Sequence, residues 1–284
     1  MPVSEQAIEE LKNAFLPKEP INLDERLSRF KDQVSFVVPV KSNEESLNLL
    51  NNLFAALDLM RKTKTGKNVL RQLPIDTHFR YEKLRNTIGA YFVGKKTVSI
   101  HPIVDDLKGL APTVIHECAH AIHADYDRKN DVFENLDPLN IFMLRYLDEV
   151  GARAAEVRLM RDLTRSGLLT YKEADENRFI FYKPDTTIGE IICDIKDRNY
   201  EPGFFVEGFR CAETDFNRQA HADIISYYQQ KYPEIKQNDI EQLESRFDDC
   251  LKNMDNPEQP KCIKKAWFSK YEQDRVERYQ RCRG

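Results

Sequence analysis

The sequence lacks the features that would identify a disulfide-bonded, membrane-spanning or nucleic-acid-binding protein. None of its six cysteines forms a CxxC pair, and a chain of 284 residues does not need disulfides to fold, so we expect reduced thiols. No apolar run approaches the roughly 20 residues that cross a bilayer. The net charge of −4 indicates neither a nucleic-acid partner nor a membrane surface. Because 41% of the residues are hydrophobic, the sequence predicts a globular protein with a sizeable core.

The sequence also predicts no cleavable signal peptide. The first residues, MPVSEQAIEELKNAF, contain no basic segment followed by an apolar one. Internal repeats and low-complexity segments are absent as well. We therefore expect a cytoplasmic protein. A bacterial enzyme that stays in the cytosol and an effector exported by a specialised secretion system without a cleaved signal both fit the sequence.

Hydrophobic spacing predicts helices along most of the chain. The strongest patterns lie at 42–62, 110–126 and 139–167, where Pro138 precedes the longest helix and Gly167 is expected to end it. Weaker helical patterns follow at about 205–232, 238–254 and 263–281.

Residues 74–101 have a different period and predict a small β-sheet. PIDTHFRYE alternates in polarity, and IGAYFVGKKTVSIHP is typical of two short strands joined around Gly94 and Lys95, where a glycine suits a type II′ hairpin turn. SFVVPV, residues 35–40, predicts one more short strand. The predicted fold class is α+β, mainly α. Its three predicted parts are a helical N-terminal extension (1–65), a core with the small sheet (66–166) and a helical C-terminal region (167–284).

The stretch TVIHECAHAIHAD, residues 113–125, contains three of the six histidines of the chain. His116 and His120 are four residues apart, so they project from one face of the predicted helix and can share one Zn²⁺. Glu117 lies about 100° around the helix from His116, where it can reach a water on the metal without binding the metal. On the opposite side we expect an apolar face formed by Val114, Ile115, Cys118, Ala119 and Ile122.

With these residues, the sequence resembles the zincin metallopeptidases. The resemblance covers residues 66–166 and rests on three parts in order: the hairpin IGAYFVGKKTVSIHP, the H-E-x-x-H stretch, and RYLDEVGARAAE. This order is similar to the glutamate-ligand branch of the family, and to bacterial metallopeptidase domains with a GAY…HE..H…E..A layout. The metzincin pattern is absent, because AIHADYDRK follows His120 without the required glycine and third histidine.

The resemblance implies a role for several residues. His116 and His120 match the zinc-binding histidines, Glu117 matches the base that activates water, and Glu149 best matches the third ligand. Because acidic residues cluster on this helix, Glu156 and Asp148 remain alternatives for that third position. TVSIHPI matches the edge strand that holds an extended peptide by β-sheet addition. Zincins often use a His or Tyr as a transition-state donor, which makes His221 and Tyr200 candidates.

Some nearby residues also have plain structural explanations. His123 shares the ligand face, where it could support a ligand or face the substrate, but its position one turn on favours an ordinary surface histidine. Asp127 is expected on the surface and Cys118 in the core. Arg145 and Arg153 flank Glu149 at i−4 and i+4, which predicts ordinary ion pairs on the helix surface.

The function expected from these features is zinc-dependent hydrolysis of peptide bonds. The long C-terminal region, which has no zincin counterpart, favours a dedicated protein target over general digestion. Two alternatives stay open: a zinc-binding sensor or scaffold that has lost turnover, and a helical interaction protein whose H-E-x-x-H match is accidental on a solvated helix face. The presence of Glu117 argues against the first, because a pure binder has no need of the base.

Overall fold

The protein is described by a computed structural model that covers residues 23–31, 34–36, 43–104, 106–129, 135–198, 200–212, 219–252 and 270–283. The chain divides into two compact units. The first comprises Met1–Ile122 and Arg165–Ile180, and the second comprises His123–Thr164 and Phe181–Gly284. The three-part division into 1–65, 66–166 and 167–284 stays a prediction.

Helices dominate the described residues. In chain order they are α1 (Leu23–Lys31), α2 (Asn43–Arg61), α3 (Lys64–Gln72), α4 (Leu107–Lys129), α5 (Pro138–Arg165), α6 (Tyr171–Glu176), α7 (Ile188–Asp197), α8 (Glu201–Cys211), α9 (Gln219–Lys231), α10 (Gln237–Lys252) and α11 (Lys270–Arg283). The strands are β1 (Val34–Phe36), β2 (His78–Tyr81), β3 (Gly89–Phe92) and β4 (Thr97–Ile100). The predicted class, α+β and mainly α, is confirmed. No helix of the described residues has the length and apolar character needed to cross a membrane.

The four strands form one mixed sheet in the order β1-β2-β4-β3. β1 and β4 run parallel to β2, whereas β3 runs antiparallel to β4 and places Gly89 opposite Ile100. The small sheet predicted at 74–101 is thus confirmed, and β1 begins at Val34, just before the predicted strand 35–40. Residues 37–40 lie outside the described residues.

The prediction that TVSIHPI forms the edge of the sheet is wrong. β4 lies between β2 and β3, and all four of its residues are buried. An interior strand uses its backbone groups on both sides, so it cannot accept a peptide. Within the described chain, β3 is the edge strand on this side of the sheet.

The turn between β3 and β4 also differs from the prediction. The strands pair up to Phe92 and Thr97, which leaves a connection of four residues instead of two. Val93–Lys95 forms a 3₁₀ turn, and the left-handed residue is Lys96, with φ of 49°. The type II′ turn centred on Gly94 and Lys95 is therefore wrong. Longer hairpin loops commonly end on such a left-handed residue, which directs the chain into the next strand.

The helix with the histidine stretch, α4, is longer and more buried than predicted. It extends over Leu107–Lys129, so Pro112 lies inside it and not at its start. The predicted apolar residues are buried, but every residue from Gly109 to Ala119 is buried as well. This part of α4 therefore has no solvated polar face.

The long helix agrees closely with its prediction. α5 spans Pro138–Arg165 against the predicted 139–167, and Gly167 has φ of +69°, which suits a residue that ends a helix. The continuous pattern predicted at 205–232 is two helices, α8 and α9. A core of aromatic side chains in the second unit includes Phe142, Tyr146, Phe205, Phe209 and Phe247, all fully buried.

Candidate metal centre

His116 and His120 bring their Nε2 atoms together on one turn of α4. The two atoms are 3.0 Å apart, and the rings meet edge to face with centroids 4.6 Å apart. Two nitrogens bound to one tetrahedral Zn²⁺ at roughly 2.0–2.1 Å would lie about 3.3 Å apart. A small adjustment of side-chain torsions closes that difference. The pair therefore fits a shared zinc ion, as the spacing in the sequence predicts.

Glu117 completes a compact group with the two histidines. One ligand atom from each of the three residues lies within 4.8 Å of the others, and Glu117 Oε1 is 4.0 Å from His116 Nε2. His116 and Glu117 are each only 6% exposed. Such burial contradicts a solvated helix face. Burying a carboxylate beside two imidazoles is costly unless its charge is compensated, and a divalent cation held by the histidines would compensate it.

Gly89, at the start of the edge strand β3, lies directly against Glu117. A Cβ at this position would stand 2.7 Å from Glu117 Oε1 and 2.9 Å from Thr113 Cγ2. Only a glycine allows the strand and the carboxylate to approach so closely. The sequence contains a signal for this contact, since Gly89 begins the GAY element of the resemblance, but spacing within one helix could not reveal it.

If Glu117 is the general base that the resemblance implies, Gly89→Ala should displace its carboxylate and lower hydrolysis strongly, because misplacing a catalytic group by about 1 Å can cost 10²-fold in rate. Zinc content should stay at the wild-type level, since His116 and His120 are untouched. Steady-state rates and elemental analysis of the same preparations measure both effects.

Gly94→Ala is the matched control in the same hairpin. A Cβ at Gly94 meets no atom within 4 Å, so this variant should keep both activity and zinc. Full activity in Gly89→Ala would mean that the position of Glu117 does not matter for turnover.

Glu149 and Glu156 share one arginine within the second unit. Arg153 donates its Nε to Glu149 Oε1 at 2.9 Å and its Nη1 to Glu156 Oε1 at 2.8 Å. The predicted i+4 pair between Glu149 and Arg153 is present, but it is buried and not on the surface, because the three side chains are 12% exposed or less. The two carboxylates thus share one guanidinium inside the second unit.

Arg145 does not pair with Glu149. It donates instead to Glu207 at 2.9 Å, from the neighbouring helix α8. The predicted surface pair between Arg145 and Glu149 is therefore wrong. The partner of Arg145 comes from another helix, which spacing within α5 cannot reveal.

His123 is fully buried in the second unit, so the interpretation of a surface histidine is wrong. Its Nδ1 lies against Asp148 Oδ1, and its Nε2 is 2.8 Å from the hydroxyl of Tyr232. Gly151 makes room for this arrangement, because a Cβ there would lie 2.6 Å from the Tyr232 ring and 3.1 Å from His123. With both ring nitrogens occupied, His123 serves as a buried link between α5 and Tyr232.

Asp127 is also more buried than predicted. Burial, together with the charge of Asp148, raises its pKa to about 7. Its Oδ1 is buried without a hydrogen-bond partner among the described residues. Burial lowers the pKa of Lys231, in the same cluster, to about 7, while Lys231 donates to the hydroxyl of Tyr227 at 3.2 Å. The predicted surface position of Asp127 is thus wrong.

The two candidate transition-state donors, Tyr200 and His221, lie in different surroundings. Both ring nitrogens of His221 are engaged, with Asn140 and Glu244, each at 2.7 Å, which disfavours a role in proton donation to a substrate. Tyr200 is 37% exposed, so part of its side chain reaches solvent. Cys118 is fully buried, as predicted, and burial raises its thiol pKa, which makes a reactive thiolate unfavourable.

Comparisons with models of protein families, with curated proteins and with solved structures found no match. The zincin resemblance therefore depends on the residues themselves, chiefly His116, Glu117 and His120 and the strand next to them.

Proposed function

We propose that the protein is a zinc-dependent metallopeptidase that cleaves a protein or peptide substrate. The observation that carries the proposal is the group formed by His116, Glu117 and His120 on α4. The Nε2 atoms of the two histidines are 3.0 Å apart, and the carboxylate of Glu117 beside them is buried. A purely structural histidine pair does not require that buried carboxylate, whereas hydrolysis does.

Each residue of the group has a defined task. His116 and His120 would hold Zn²⁺, which when bound acidifies water and polarises a carbonyl. Glu117 accepts a proton at a carboxylate oxygen and later donates it to the amine that leaves when the peptide bond breaks. The burial of Glu117 removes competing water from that carboxylate and keeps it in one position.

The edge strand β3 is the proposed binding place for the substrate backbone. An extended peptide that pairs with Gly89–Phe92 passes beside Glu117, because Gly89 and Glu117 are in contact. Phe92 is 40% exposed and Val93 47%, so apolar side chains of a substrate would find a surface at the end of the strand. This proposal replaces β4 with β3 in the role that the resemblance implies.

The direct test is to expose a cell proteome to the wild type and to Glu117→Gln and to compare the new N-termini by mass spectrometry. A small set of N-termini that appears only with the wild type supports a dedicated protein target. Identical N-termini in both samples would remove the proposal of proteolysis. A broad set without a common sequence would contradict the narrow substrate range but keep the hydrolysis.

The third zinc ligand is tested by comparing two glutamates in matched surroundings. Glu149 and Glu156 are both buried and both bound to Arg153, so a difference between their variants reports on coordination and not on burial. Glu149→Ala should weaken zinc binding by at least the roughly 10- to 100-fold typical of losing a supporting partner. Glu156→Ala should weaken it less and leave measurable activity.

Zinc titration against a competing chelator measures both affinities. The reverse order would assign the ligand to Glu156. If neither variant matters and Asp148→Ala does, an aspartate is the third ligand.

A further inference from the structure

The second unit contains a cavity of about 540 Å³ that the proposed hydrolysis does not use. Residues of one face of α5, of the start of α7 and of the loop after α9 line it. Val157, Ile188 and Ile191 are buried and give it an apolar floor. A cavity of this size is within the range of sites for small molecules, roughly 300–1,000 Å³.

Basic residues outnumber acidic ones around this cavity. Arg158 is held by Glu234, through a hydrogen bond of 2.7 Å from its Nε. Burial works to raise the pKa of Glu234, but the bonds and charge of Arg158, together with the charge of Arg161, lower it overall. Glu234 is therefore ionised, and its negative charge cancels the positive charge of Arg158.

Two basic side chains remain after that pairing. Arg161 donates its Nε to the carbonyl of Pro184 at 3.0 Å, and Lys236 donates to the carbonyl of Pro233 at 2.7 Å. Neither forms an ion pair with a carboxylate among the described residues. Besides Glu234, the acidic residue that lines the cavity is Asp185, which is exposed. The lining thus carries a net charge of about +1 above an apolar floor.

We propose that this cavity binds a small amphipathic anion, a molecule with an apolar body and one oxyanion group. The apolar body lies on Val157, Ile188 and Ile191, and the oxyanion lies between Arg161 and Lys236. Carbonyl oxygens already orient both basic groups, and a guanidinium binds an oxyanion with paired, charge-assisted hydrogen bonds. The site is independent of Glu117 and of zinc.

The test uses two probes with nearly the same body: anilinonaphthalene sulfonate, which is an anion, and N-phenylnaphthylamine, which is neutral. Calorimetry and fluorescence titration of the full chain should show one sulfonate site per chain. The sulfonate should bind at least roughly tenfold more tightly than the neutral probe, as expected for a charge-assisted contact. Glu117→Gln should bind both probes as the wild type does.

Variants assign the binding to this cavity. Arg161→Gln should weaken the sulfonate by roughly tenfold or more and leave the neutral probe unchanged, whereas Arg161→Lys should retain part of the preference because it keeps the charge. Lys236→Gln should cause a smaller loss, of roughly threefold, because the side chain is exposed. Lys196→Gln, at an exposed lysine of α7 outside the cavity, is the matched control.

Equal affinities for the two probes, or a sulfonate affinity that Arg161→Gln does not change, would overturn the proposal. Absence of binding by both probes would overturn it too. If circular dichroism shows that Arg161→Gln is unfolded, Lys236→Gln and Lys196→Gln decide the question, because both substitutions are on the surface and a difference between them still locates the anion.

Discussion

Glu117→Gln is expected to abolish peptide hydrolysis while the zinc content stays near that of the wild type. Glutamine has nearly the shape of glutamate, so it fits the buried position beside Gly89 without a new contact. It cannot accept a proton, however, and the loss of a general base typically lowers the rate by roughly 10²–10⁴-fold. The rate should fall in kcat, because Glu117 acts on the reacting water and not on the binding of the substrate.

Single-turnover assays on a substrate identified from the proteome, together with elemental analysis, measure both parts of this result. Glu176→Gln in α6 is a suitable control, because it removes a carboxylate whose side chain is 66% exposed. Loss of zinc in Glu117→Gln would mean that Glu117 is a ligand. Activity at the wild-type level would mean that another group is the base. Either result would require a different mechanism.

The sequence predicts the histidine pair correctly because its geometry is local. Residues four apart in a helix lie on one face whatever surrounds them, and the Nε2 atoms of His116 and His120 are indeed 3.0 Å apart. The burial of α4 is not local. The apolar pattern marks one side of the helix, but His116 and Glu117 on the other side are buried as well, and periodicity within one element contains no information on that burial.

The errors have the same origin. Helix spacing pairs Arg145 with Glu149 and favours a surface position for His123, yet their partners, Glu207 and Tyr232, come from distant parts of the chain. The two strands around Gly94 were predicted correctly, but the turn between them was not, because the register of β3 against β4 decides how many residues the turn contains. Composition and spacing thus predict the elements and the proximity of the two histidines, while the partners of charged groups require the tertiary structure.

His116→Ala and His120→Ala are each expected to eliminate zinc and activity together. One imidazole alone is a weak site, and each variant removes half of the histidine pair. His116 is 6% exposed, whereas His120 is less buried, so His116→Ala should lower the melting temperature more. His221→Ala is the matched control, because its partners Asn140 and Glu244 make it a structural histidine that should not affect zinc content.

Removal of zinc from the wild type by a chelator should abolish activity and leave the fold largely intact. The first unit has its own apolar core, with Leu53, Leu57, Phe79, Tyr81 and Val98 buried, and a core of this size does not depend on a metal as a zinc finger does. Circular dichroism should retain its helical signal after chelation, and added Zn²⁺ should restore the rate. If the chelated protein unfolds at room temperature, the metal is structural, because a catalytic ion that keeps a position open for water contributes little to the stability of a large domain.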